Sequence, residues 1–466
     1  MTFGFEGRAR RAVEDARGRT AKGGVAAASA LAAGFALAAG LPAAVSAQTI
    51  DGARLQDLQG RATAVQAKMI AWRRDIHEHP ELSGQEVRTA KLVADHLRAL
   101  GMEVKTGVGG TGVVGLLKGG QPGDKVVALR ADMDALPVKE VTDLPFASKV
   151  IARNFGKDSP VMHACGHDGH TAILMGVAEM LAGMREQIKG TVKFVFQPAE
   201  EGRSEEPKHE HELFGAKAMI EEGVLDDPKV DAIYGLHLAP GPATGSVGYR
   251  IGPMMAGADG FRIKVTGKQT HGSRPWDGID PIAASAQIVN GLQTIVSRQL
   301  DITAVPTVVT IGAINGGNRE NIIPDTVDML GTLRTFDNKL REDAKKRITT
   351  TATSIAAASG AKADVAFTTV SYPPTVNPAE LSKRAVPVLQ ASTGDKAIVI
   401  PLVSGSEDFS DYQLKVPGFF FILGAPPKGR PPAPNHSPQF DFDEDAMPVG
   451  AKALAALALD ELERSR

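Results

Sequence analysis

Apolar residues recur at three- and four-residue spacings between positions 55 and 100: Ile70, Trp72 and Ile76, then Val87, Ala90, Val93, Ala94 and Leu97. That period predicts amphipathic helix, divided in two by Pro80 and Ser83-Gly84. Short β-rich runs bounded by glycines follow at 112–117 and 125–130. An apolar helix is predicted over 171–184, then a strand over 191–196 that stops at Pro198. Helices and strands alternating at these lengths predict α/β layering. Near Gly257 the pattern changes. Phe261-Arg262-Ile263-Lys264-Val265 alternates strictly, as a sheet with one wet face does. A helix over 281–300, strands over 307–314 and 326–335, a charged helix over 338–358 and a strand over 362–369 complete a split βαβ order. The α/β pattern resumes at 396–401 and 418–423, so the α+β unit reads as an insertion.

The first residues belong to neither pattern. Residues 1–22 are rich in arginine, 23–40 are uncharged and apolar, and Val45 and Ala47 are small residues two apart. These three regions read as a secretory signal cleaved after Ala47, which places the mature chain in the periplasm or outside the cell. The competing reading is a retained anchor, since the run is about long enough to span a bilayer; its alanine and glycine content and Pro42 favour cleavage. The expected organisation is therefore a signal over 1–47, a first domain over 48–255 and 371–466, and the insertion over 256–370. No membrane attachment is expected after cleavage.

Charge and cysteine content narrow the function. Of 466 residues, 52 are Lys or Arg and 54 are Asp or Glu, so no basic excess exists to neutralise a nucleic acid. The single cysteine, Cys165, excludes an intrachain disulfide framework and an all-cysteine zinc site. Cys165 lies in the densest chemical cluster, Met162-His163-Ala164-Cys165-Gly166-His167-Asp168-Gly169-His170-Thr171. Cys165 and His167 are two apart, a spacing that ligands of one metal can use in a loop. Cys165 paired with His167 or His271 would instead make a nucleophile. The strand over 191–196 runs into Gln197-Pro198-Ala199-Glu200-Glu201-Gly202. Adjacent carboxylates at a strand end allow one to bind a metal and the other to act as a general base. Glu-Glu alone would read as a solvated turn. His237 ends an apolar strand, where it is a core residue or a ligand. His436 sits in the tight loop Pro434-Asn435-His436-Ser437-Pro438, where packing is a poor explanation.

Five motifs in order resemble one family: Arg74-Asp75-Ile76-His77-Glu78-His79-Pro80-Glu81, Leu129-Arg130-Ala131-Asp132-Met133-Asp134-Ala135-Leu136-Pro137, the cluster at 163–172, 197–202 and Gly405-Ser406-Glu407-Asp408-Phe409. The family is that of the aminoacylase/carboxypeptidase dinuclear metallohydrolases. Within it, the chain is similar to hippurate hydrolases, N-acyl-amino-acid amidohydrolases and auxin-conjugate hydrolases. The resemblance implies an α/β fold: a mixed-sheet, zinc-exopeptidase-like catalytic domain with an inserted α+β ferredoxin-like lid or dimerisation domain. It implies two divalent ions held by Cys165, His167, Glu201, His237 and His436, with Cys165 bridging, Glu200 as general base and Asp134 orienting a ligand. Zinc suits these donors, with manganese, cobalt or nickel as alternatives.

The turn Thr270-His271-Gly272-Ser273-Arg274-Pro275 resembles the family's oxyanion-stabilising histidine motif. The resemblance implies that His271 acts in the partner's site of a homodimer, and that Asn321 and Arg334 bind a substrate carboxylate. His77, His79, His163 and His170 are expected to be supporting or structural, and His209 and His211 surface residues. The expected activity is metal-dependent hydrolysis of the amide of an N-acyl amino acid or related small conjugate. A carboxypeptidase or dipeptidase of the same family is the near alternative. A cysteine hydrolase and a non-catalytic metal-binding protein are the distant ones.

Overall fold

The computed structural model describes residues 50–206 and 212–464. The expected signal and cleavage point lie outside the described residues, as do His209 and His211. Two helices open the described chain, Gly52–Glu78 and Val87–Ala99, separated at the Pro80 and Ser83-Gly84 break. The Asp51 side chain caps the first by accepting from the Arg54 amide at 2.7 Å.

An eight-stranded mixed sheet forms the centre. Its order is Glu103–Val108, Gly112–Lys118, Lys189–Gln197, Gln121–Asp132, Ala232–Ala239, Gly418–Gly424, Val247–Tyr249 and Ala397–Val399. The middle strands 189–197, 121–132, 232–239 and 418–424 are mutually parallel. Parallel strands are covered on both faces and read as continuous apolar runs. The last of these shows it: Phe419, Phe421 and Leu423 enter one core, Phe420 and Ile422 the other. Helices Gly52–Glu78, His167–Ala182 and Met447–Glu463 fill the first core. Met219, Phe409 and Tyr412 fill the second.

The inserted unit is a four-stranded antiparallel sheet in the order Thr307–Asn315, Thr326–Thr335, Gly257–Thr266, Lys362–Tyr372. Helices Pro281–Thr294 and Asn338–Ala358 pack on one face and share its core. Phe261, Ile263 and Val265 are buried there while Arg262 and Lys264 are exposed, as the alternation requires. The arrangement is ferredoxin-like. The predicted helix over 281–300 is shorter than its pattern, because its last turn widens into a π-helix at Ile295–Gln299. Helix Met447–Glu463 has no visible period because it is buried almost all round. No helix among the described residues is long and apolar enough to cross a membrane.

One buried cation ties the first helix to the rest. Arg73 has its Nε 2.9 Å from Asp168 Oδ2, Nη2 3.0 Å from Asp441 Oδ1 and Nη1 3.3 Å from Glu444 Oε1. Its guanidinium also lies over the Phe146 and Phe442 rings. Arg73→Ala would leave Asp168 buried without its cation. It is expected to lower unfolding stability by about 3–5 kcal/mol, read from the urea midpoint at unchanged slope.

Candidate active site

The chemistry-bearing residues emerge at the carboxyl ends of the parallel strands, where ligands bind in open α/β sheets. Strand Gln121–Asp132 runs into Asp134, Lys189–Gln197 delivers Glu200 and Glu201, and Ala232–Ala239 carries His237. Helix His167–Ala182 begins at the same place, so its positive end faces Cys165 and favours the thiolate. Gly166, just before that helix, has φ +103 and only 3.3 Å between an added Cβ and Leu238 Cβ. Two residues with side chains adopt the left-handed region here, Ala199 at φ 52 and His436 at φ 67. Such strain clusters at functional sites.

Cys165 Sγ lies 3.3 Å from His237 Nε2, and His436 Nε2 lies 2.9 Å from Glu201 Oε1. His167 Nε2 is 4.0 Å from both Glu200 Oε2 and Glu201 Oε1. Donor atoms of Cys165, His167 and His237 lie within 4.8 Å of one another, as do those of Cys165, Glu201 and His436. Backbone carbonyls decide which nitrogens face inward. His167 Nδ1 donates to the Asp134 carbonyl at 2.9 Å and His237 Nδ1 to the Leu238 carbonyl at 2.7 Å. A carbonyl only accepts, so each Nε2 is left to present its lone pair. Among the described residues both His167 Nε2 and Glu201 Oε1 are buried without a hydrogen-bond partner; the short contact of Glu201 with His436 lacks hydrogen-bond geometry. Orphaned nitrogen and oxygen beside a thiol are a donor set that fits divalent cations.

The electrostatics agree. Burial opposes ionisation of Cys165, but His237 and His167 outweigh it and hold the thiol well below its ordinary range. Burial pulls the other way on His237 too, yet Cys165 lifts it to about 9. Close contact with Cys165 and with Glu201 lifts His436 to about 10. Burial, then the Cys165 charge, raises Glu201 to about 7. Glu200 is pushed well above the carboxylate range by burial and by Glu407, Glu201 and Asp408.

A rigid polar layer lies behind these residues. Asp134 accepts from the Glu200 and Glu201 amides at 3.1 and 3.0 Å and from Ser83 Oγ at 2.7 Å. His170 Nδ1 is 2.6 Å from Asp132 Oδ1, and its Nε2 accepts from the Leu238 amide at 2.8 Å. Arg130, fully buried, binds Asp132 at 2.7 Å, Asp408 at 2.8 Å and Glu407 at 2.9 Å. Roles for Arg130, Asp132, Glu407 and Asp408 escape residue-by-residue reading. The signal for Arg130 and Asp132 is charge inside a run that otherwise reads as buried strand; Glu407 and Asp408 stand in the loop before helix Phe409–Gln413 and are marked only by their motif.

A cavity of about 650 Å³ opens over the cluster. Cys165, Glu200, Glu201, His237 and His436 line it, with Arg334 at the rim and Met255, Ile400, Val403 and Ile422 as an apolar wall. His167 and Asp134 lie buried behind it. Arg334 Nη1 donates to Ser406 Oγ at 3.0 Å. His271 and Asn321 are not brought there. Both are exposed, on the small ribbon Thr270–His271 and Ile322–Ile323 and its flanking turn, where the Gly272 amide donates to the Asn321 carbonyl at 2.8 Å. Neither lines the cavity of its own chain.

The family model of peptidase family M20/M25/M40 matches residues 128–460. The chain belongs to this family. It is 43% identical over 407 residues to "Thermostable carboxypeptidase 1" of Saccharolobus solfataricus, covering 87% of this chain and 98% of that one. It is 40% identical to "N-acetylcysteine deacetylase" of Bacillus subtilis, covering 86% and 98%. Among solved structures it is similar to the Bacillus subtilis YXEP protein, described as a dinuclear metal binding peptidase from the M20 family. That match has a TM-score of 0.71 at 38% identity and covers 86% of this chain and 99% of that one. This M20 family member is a metal-dependent hydrolase with a mixed α/β fold.

Cations held by this donor set would displace protons from His237, His436 and Glu201, so their affinity would fall as pH falls. Calorimetric titration of metal-freed protein in buffers of different ionisation enthalpy is expected to show two equivalents bound with proton release. Binding at pH 5.5 should be weaker than at pH 8; pH-independent affinity would contradict this donor set.

Proposed function

We propose that this enzyme hydrolyses the amide bond of N-acyl amino acids or closely related small conjugates, with Glu200 as general base. The observation that carries the reading is the placement of Glu200. It is buried beside the donor set, lines the cavity, and among the described residues its carboxyl accepts a long 3.3 Å hydrogen bond from the Asp408 amide and lies 4.0 Å from His167 Nε2. A buried carboxylate whose proton affinity is raised by burial and by neighbouring carboxylates, and which is left available, suits proton transfer. Held by Cys165, His167, Glu201, His237 and His436, two divalent ions, zinc in our reading, would supply Lewis acidity to the scissile carbonyl and lower the pKa of water.

The chain's own groups do the rest. Glu200 accepts a proton from the attacking water as the C–O bond forms. It returns that proton to the amide nitrogen as the C–N bond breaks, releasing acid and free amine. Arg334, steadied by Ser406, offers a guanidinium to the substrate carboxylate. The apolar wall of the cavity receives the acyl group. The exposed His271 turn reaches a site only in a second copy, so we place His271 as the oxyanion donor across a homodimer, with Asn321 beside it. Removal of a signal at Ala47 would make this an exported scavenger of conjugates. The carboxypeptidase relative supports a second reading with the same chemistry, in which the acylating group is itself an amino acid.

Glu200→Gln is expected to lower kcat by about 10²–10⁴-fold on a panel of N-acyl amino acids and dipeptides, with metal content unchanged. Chelation should abolish turnover and added metal restore it; activity that survives metal removal but not alkylation would move the chemistry to Cys165. Arg334→Ala should raise KM by about 10–100-fold with a smaller change in kcat. Mixing inactive Glu200→Gln with inactive His271→Ala protein should regain activity through hybrid dimers, and no recovery would remove His271 from the partner's site.

A further inference from the structure

We infer that Tyr372 is the positioning residue for the general base, an inference that rests on the assignment of Glu200 above. Tyr372 is the last residue of strand Lys362–Tyr372 in the inserted unit, and it also lines the catalytic cavity. Its phenolic hydroxyl donates to the main-chain carbonyl of Glu200 at 2.8 Å. That carbonyl belongs to the peptide unit joining Glu200 to Glu201. The opposite edge of the same unit, the Glu201 amide, donates to Asp134 Oδ2 at 3.0 Å. A peptide is a rigid plane. Asp134 therefore grips it from the central sheet and Tyr372 from the inserted one, and together they set its rotation. The rotation of this plane aims both neighbours, the base on one side and the expected ligand on the other.

The grip has something to oppose. Ala199, immediately before Glu200, is held at φ 52, where a residue with a Cβ is strained. The preceding amides are fixed from below, Ala199 on Glu86 Oε1 at 2.9 Å and Glu200 on Asp134 Oδ1 at 3.1 Å. The Glu200 carbonyl draws its hydrogen bond from across the boundary between the two sheets. The end of the strand that carries Tyr372 is itself tied down. Tyr372 pairs with Ala258 in its sheet, Ser371 Oγ donates to Asp259 Oδ1 at 2.7 Å, and the Ser371 carbonyl accepts from Lys217 of helix Gly215–Glu221. The phenol is thus a fixed strut between the inserted unit and the base.

The test compares Tyr372→Phe, Glu200→Gln, the double variant and Lys217→Met, all with metal loaded, on one substrate that the wild-type enzyme turns over. Tyr372→Phe removes one hydroxyl and keeps the ring. It is expected to lower kcat at least about tenfold while KM, metal content and Tm stay near wild type, because small misplacement of a reacting group is costly. In the Glu200→Gln background the same change should lower kcat no further. Lys217→Met removes one of the ties on the same strand end but keeps the phenol, the Ser371–Asp259 bond and the strand pairing, so its loss in kcat should be clearly smaller than that of Tyr372→Phe. Unchanged kcat in Tyr372→Phe beside an inactive Glu200→Gln overturns the positioning role and leaves the base assignment standing. A rise in KM alone makes Tyr372 a substrate contact and overturns it too, as does an equal loss in Lys217→Met. Wild-type turnover by Glu200→Gln removes both readings together.

Discussion

A single buried guanidinium makes the crowded end of the sheet possible. Arg130 has no exposure, yet it stands among Asp132, Glu407 and Asp408, each within 3 Å. Carboxylates stripped of water at such spacing repel one another and would otherwise take up protons or disorder the strand ends. One delocalised cation with a fork of donors can hold several of them at once, which a lysine ammonium could not do in the same plane. Gln197 completes the arrangement, accepting from Arg130 Nε and donating to both oxygens of Asp408. What is fixed in this way passes upward: Asp132 sets the His170 ring, His170 receives the Leu238 amide, and that strand end carries His237.

The same economy governs the front of the site. His167 and His237 each spend one ring nitrogen on a backbone carbonyl, so the other nitrogen is the one that faces the cluster. The site is thereby stabilised by main-chain geometry, while among the described residues His167 Nε2 and Glu201 Oε1 remain unsatisfied inside the protein. Buried polar atoms without partners are costly unless something binds them. Dinuclear metal binding, as in the M20 neighbour, is the natural resolution, and it would explain why the thiol, three imidazoles and a carboxylate share so small a volume.

The inserted unit completes the cavity from above. Arg334 reaches the rim from the second strand of its sheet and Tyr372 from the fourth. His271 and Asn321 are exposed on a separate ribbon and its flanking turn. The division follows from architecture. Two strand ends of the four-stranded sheet reach the cavity, whereas the ribbon does not line it.

Much of this was legible in the residues. The alternation at 261–265 specifies a half-wet sheet because side chains in a strand point to opposite faces with period two. The end of helix and strand at Pro80 and Pro198 follows from the missing amide and fixed φ of proline. The grouping of Cys165 with His167, and of Glu200 with Glu201, is local and needs no fold to be seen. Helix Met447–Glu463 and edge strand Glu103–Val108 are poorly marked, the first because it is buried all round, the second because almost all of it is wet. What the sequence alone determined, then, was the set of elements with a contrast between two faces and the short motifs that carry chemistry. The tertiary structure decided which motifs meet. It joined residues 165, 201, 237 and 436 at one sheet end, placed Arg130 beneath them, and left His271 and Asn321 outside the cavity. The reason is physical: periodicity and turn chemistry act over a few residues, whereas strand order and domain docking bring together groups hundreds of residues apart.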